Sequence, residues 1–68
     1  MENFVTLFIT PAGRKRAEEH FDELEHIAQR EIGLGDGNYI NVYTSDAKII
    51  AEVSDFFGVD LIEVSNGK

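Results

Sequence analysis

No cysteine occurs in the 68 residues of this chain, and at that length the absence constrains the fold more than any residue that is present. A 60-residue unit buries only about 60% of the surface its unfolded chain exposes, so domains of this size often lean on disulfides or a thiolate-bound metal. With neither device open to it, the chain has to stand on packing, and it has residues for one core only. We therefore read residues 1–68 as a single domain. Apolar residues make up 43%, rich enough in Ile, Val and Phe to fold. Thiol nucleophiles, zinc–thiolate centres and iron–sulfur clusters are removed by the same absence. The longest apolar runs, Leu7-Phe8-Ile9 and Ile49-Ile50-Ala51, are too short for a membrane span or a signal-peptide core, so a cytoplasmic location is the expectation.

Phe4 to Ile9 is β-branched and aromatic and reads as a strand. Thr10 then suits an N-cap with Pro11 at the first helical position. Ala17, Phe21, Leu24, Ala28 and Ile32 recur at steps of three and four, which predicts one helix from Pro11 to about Ile32, roughly 30 Å long. Gly33 to Asn38 carries three glycines without periodicity and reads as a loop. Tyr39 to Thr44 alternates like a second strand. Thr44, Ser45 and Asp46 offer caps for a second helix carrying Ile49, Ile50, Val53, Phe56 and Phe57, which Gly58 would stop. Val59 to Val64 would be a third strand. Each predicted helix joins two strands, so the expected architecture is a small two-layer α/β domain of order βαβαβ, with a three-stranded parallel sheet and two helices on one side.

Three surfaces stand out. Glu18, Glu19, Asp22, Glu23 and Glu25 lie opposite the apolar stripe of the first predicted helix, five of the thirteen acids in a chain of net charge −7. On one continuous rod they would place a charge about every 2.4 Å, against about 1.7 Å in duplex DNA, a density able to imitate a nucleic-acid backbone. The plainer reading is a solvated face that keeps the protein soluble. Phe4, Phe8, Tyr39 and Tyr43 would share the sheet face turned away from the helices, an aromatic patch of the kind found at protein interfaces; the plainer reading there is a helix covering it. In a parallel sheet Thr10, Arg14, Lys15, Arg16, Ser45 and Lys48 would gather at the strand carboxyl ends, with Lys68 nearby, where helix N-termini attract anions. Pairing of Arg14 and Lys15 with Glu18 and Glu19, four residues on, accounts for part of that set without a ligand.

Other signals are weak. The glycines at 33, 35 and 37 follow a helix instead of preceding one, the reverse of a phosphate-cradling loop. Glu23 and His26 have Glu-x-x-His spacing, but such metal sites need a matching motif on another helix. There is no Gly-x-Ser-x-Gly nucleophile elbow.

These features lead us to expect a small acidic, non-enzymatic protein-binding module without a cofactor. Its partner would be a protein, with an inhibitor that occupies a nucleic-acid-binding surface as the specific form, and homodimerisation through the aromatic face as a second expectation. Net charge argues against direct nucleic-acid binding. The alternative expectation is a regulatory domain that binds a small anion or nucleotide at the carboxyl edge of the sheet.

Overall fold

Val5–Ile9 forms β1 in the computed structural model, which describes residues 4–66. Alternation along β1 sends Val5, Leu7 and Ile9 into the core. Thr10 ends the strand and caps α1, Pro11–Glu19, by accepting the Gly13 amide on its hydroxyl at 3.1 Å. The helix then divides. His20 leaves helical geometry, and α2 runs over Phe21–Ile27. The single helix expected to reach Ile32 is thus two shorter ones. Like charges four residues apart, Glu18 with Asp22 and Glu19 with Glu23, weaken the segment by a few tenths of a kcal/mol each, and the His20 ring packs edge-on against Phe56 at the break.

A turn without glycine terminates α2. Gln29 and Arg30 both take positive φ, and the Gln29 and Arg30 amides donate back to the His26 and Glu25 carbonyls. That bonding pattern is a Schellman motif, with glutamine where glycine is usual. The chain is thereby freed to form β2, Ile32–Leu34, in the segment expected to be loop. A tight connection leads into β3, Tyr39–Val42, followed by α3, Ala47–Phe57, capped by the Asp46 carboxylate on the Lys48 amide at 2.9 Å. Gly58, at φ 54° and ψ −120°, stops α3 in a conformation that a side chain would oppose. One 3-10 turn, Gly58–Asp60, leads to β4, Leu61–Asn66.

The four strands form one sheet of order β2-β3-β1-β4, and every adjacent pair is antiparallel. This overturns the expected three-stranded parallel sheet with two helices; the described residues hold four strands and three α-helices. The cause is β2. Once it pairs with β3, the chain reverses before β3, which must then run against β1. β1 and β2 do point the same way, as do β3 and β4, but each such pair is separated by a strand of the other. This is the split β-α-β, or ferredoxin-like, connectivity.

One core joins the layers. Leu7, Ile9, Ile40 and Val42 of the sheet meet Ala17, Leu24, Val53 and Phe57 of the helices, all at 1% exposure or less. Burying a side chain of the Leu, Val or Phe type stabilises by about 1.5–3 kcal/mol, so this cluster holds the domain without staples. No helix among the described residues is long and apolar enough to cross a membrane.

Candidate functional site

The register of β1 against β3 pairs Val5 with Val42 and Leu7 with Ile40 on the core side, which leaves Thr6 opposite Asn41 and Phe8 opposite Tyr39 on the outer face. Two aromatic pairs result. The Phe8 and Tyr39 rings lie 6.0 Å apart between centroids, and Phe4 and Tyr43 lie 6.1 Å apart, both tilted. Between them the Thr6 hydroxyl donates to the Asn41 side-chain oxygen at 2.7 Å. Since the helices pack on the other side, Phe8 remains 38% and Tyr43 45% exposed.

Glycines let the rings spread sideways. A Cβ on Gly35 would stand 2.0 Å from the Tyr39 ring, and one on Gly33 would touch the Tyr43 ring at 3.4 Å. Tyr43 therefore lies over bare β2 backbone at Gly33 and Tyr39 over the β2–β3 connection at Gly35, where a side chain would displace the ring. The glycine spacing, set aside at the sequence level as a failed phosphate loop, is what shapes the face.

Two carboxylates border this face. Glu63 on β4 is opposite Phe8. Glu31 precedes the buried Ile32 and accepts the Tyr43 amide on its carbonyl at 2.8 Å, so alternation turns its exposed side chain outward beside that ring. No lysine or arginine stands on the face among the described strand residues. Neither glutamate was singled out from the sequence, because β2 was not recognised and the register of β4 was unknown. On the β4 edge, Ile62 is 64% and Val64 45% exposed, apolar surface that the sequence reading had assigned to no role.

The acidic set is divided and lies elsewhere. Glu18 and Glu19 are on α1, and Asp22, Glu23 and Glu25 on α2, so the single rod of evenly spaced charge does not exist. Glu18 is engaged by the Arg14 Nε at 2.9 Å, the pairing expected from the sequence. Glu25 is half-buried and, with Asp22, His26, Gln29 and Arg30, lines an open groove. Among the described residues no three His, Asp or Glu side chains converge as a metal would require. These helices pack on the core side, which puts their carboxylates across the sheet from the aromatic face.

The carboxyl-edge set is also separated. In the antiparallel sheet, Ile9 at the end of β1 bonds to Asn38, whereas Val42 at the end of β3 pairs with Val5 at the start of β1. Thr10, Arg14, Lys15 and Arg16 therefore stand at one end of the sheet and Ser45 and Lys48 at the other, about 15 Å away along five strand residues. Lys68 lies outside the described residues.

Three of the near group already have structural partners. Thr10 donates its hydroxyl to Asp60 at 3.0 Å. Arg16 pairs with Asp60 at 3.0 Å, caps the Phe56 and Phe57 carbonyls at 2.9 Å and lies over the Phe56 ring. Arg14 donates to the Gly35 and Gly37 carbonyls. These contacts tie α1 to the end of α3 and to the β2–β3 connection, roles that are architectural.

No protein-family model matches the chain, and comparison with curated proteins and with solved structures finds no match either.

Proposed function

We propose that this chain is a small acidic, non-enzymatic protein-binding module, and that it docks through the outer face of its sheet. The observation that carries this reading is the uncovered aromatic platform of Phe4, Phe8, Tyr39 and Tyr43. Aromatic rings that remain exposed on a domain with so little core to spare represent burial the fold has left unused, and a partner supplies it. The groups on the face suit contact better than reaction: two phenyl rings, two phenols, and a hydroxyl and amide that already satisfy each other.

The acidic helices have a different part. Since the sheet separates them from the platform, one flat partner touches one surface or the other. We assign docking to the platform and long-range attraction to Glu18, Glu19, Asp22, Glu23 and Glu25, which enrich a cationic target around the molecule before contact. A target whose own ligand is a nucleic acid fits, since its binding surface is cationic, and occupation of that surface would inhibit it.

The test is capture of the partner from host extract by three forms of the protein. The Phe8→Thr/Tyr43→Thr form replaces the two rings with a β-branched residue that suits extended backbone, and it should fold and lose the partner. The Glu18→Gln/Asp22→Gln/Glu23→Gln form should keep it. A partner retained by the first and lost by the second would mean that the helices, not the sheet, are the docking surface.

A further inference from the structure

Resting on the reading of the outer sheet face as a docking surface, we infer that its occupant is an arginine-bearing protein segment in extended conformation, with two arginines on one side, four residues apart. The argument is charge and shape complementarity. An aromatic platform alone would accept aliphatic side chains, bases or a second copy of the chain. This platform is flanked by Glu63 beside Phe8 at one end and by Glu31 beside Tyr43 at the other, with no cation among the described strand residues of the face. A nucleic acid would meet carboxylates and a net charge of −7, and a second copy would set like charges against like.

A guanidinium satisfies both components. Its flat faces stack on aromatic rings while its edge donates two parallel hydrogen bonds to a carboxylate, a combination that the ammonium of lysine cannot make. The fold itself contains the motif: the Arg16 guanidinium lies 5.4 Å from the Phe56 ring centroid while pairing with Asp60 at 3.0 Å. On the outer face the aromatic pairs stand on either side of the Thr6–Asn41 pair, four residues apart along the chain from Phe4, just before β1, to Phe8. That separation is about 13 Å, the distance between side chains four apart on one face of an extended peptide.

The experiment is an amide NMR titration of the full chain with three threonine- and serine-based peptides that carry arginine, lysine or leucine at the two positions. The arginine peptide should move the Phe8, Tyr39, Tyr43 and Glu63 resonances. It should bind at least about fivefold tighter than the lysine peptide, because an ammonium can also stand over a ring but cannot stack flat on it while donating two parallel hydrogen bonds to a carboxylate. Glu63→Gln, a change at an exposed edge position, should reduce that advantage while leaving the spectrum of the free protein intact.

Equal binding of the arginine and lysine peptides overturns the inference, as does movement confined to Glu18–Glu25. Tighter binding of the leucine peptide on the same face overturns it too, and so does concentration-dependent movement of that face with no peptide present, although both results leave the docking surface standing. If no peptide and no second copy moves the face, the inference and the reading beneath it fall together.

Discussion

At the scale of single residues, two glycines show how the same substitution should act in opposite ways. A Cβ on Gly13 would sit 2.9 Å from the Asp60 Cβ and 3.3 Å from that of Ile9, atoms that move only with their backbones. Alanine at this helical position gains up to about 1 kcal/mol of intrinsic propensity, but overpacking costs about 1–3 kcal/mol. We expect Gly13→Ala to lower stability by about 1 kcal/mol in urea denaturation, and a gain would refute the close approach of α1 to the Asp60 turn. At Gly35 the obstacle is the outer part of the Tyr39 ring, which can swing away. Gly35→Ala should therefore cost little stability yet displace Tyr39 from Phe8, seen as loss of ring-to-ring NOEs and weaker binding at the outer face. Neither role is visible in the sequence. Both depend on which distant side chain crosses the glycine, whereas the Thr10 and Asp46 caps were legible because a cap contacts backbone only two or three residues ahead.

At the scale of elements, legibility tracked the locality of the signal. β1, the start of α1 and all of α3 are announced by alternation, by a cap or by a stop within their own few residues. α2 and β2 are not. The apolar stripe at Ala17, Leu24, Ala28 and Ile32 is continuous, and all four residues are buried, but the last belongs to a strand that faces the same core. Periodicity registers burial without registering the Schellman turn that ends the helix between them. The overlooked clue was Asp36-Gly37, a turn pair preceded by Ile32 and Leu34 and followed by a strand, which is a hairpin signal. Missing that hairpin turned an antiparallel sheet into a parallel one and placed Ser45 and Lys48 beside Arg14. Gln29, at φ 54°, holds the decisive turn in a conformation that glycine adopts without strain. We expect Gln29→Gly to stabilise the fold by about 0.5–1 kcal/mol, after allowing for the greater freedom of the unfolded chain. Thermal and urea denaturation would measure it, and a loss would mean that the Gln29 side chain has work in its groove beside Asp22 and Arg30.

At the scale of the whole molecule, the sheet divides the protein into a charged side and an aromatic side, and the division makes their contributions separable. The aromatic patch and the acidic cluster were each recognisable from the sequence, because each follows from residue type and period. Their placement on opposite sides was expected as well, from helices read onto one side of the sheet; the break at His20 that divides the acids between α1 and α2 was not, because residue types do not encode it. If the helices steer and the platform holds, charge should govern the rate of encounter and the rings the rate of escape. Glu18→Gln/Asp22→Gln/Glu23→Gln lowers the net charge from −7 to −4 without touching the outer face. Its stability should stay within about 0.5 kcal/mol of the parent, because all three side chains are exposed and the Arg14–Glu18 pair that is lost is a surface one. In stopped-flow measurements with the captured partner, association of this variant should be several-fold slower at low salt and converge on the parent at about 1 M salt, where the screening length is about 3 Å. Dissociation should be unchanged throughout. A faster dissociation that persists at high salt would show these carboxylates buried in the complex, and would move the docking surface from the sheet to the helices.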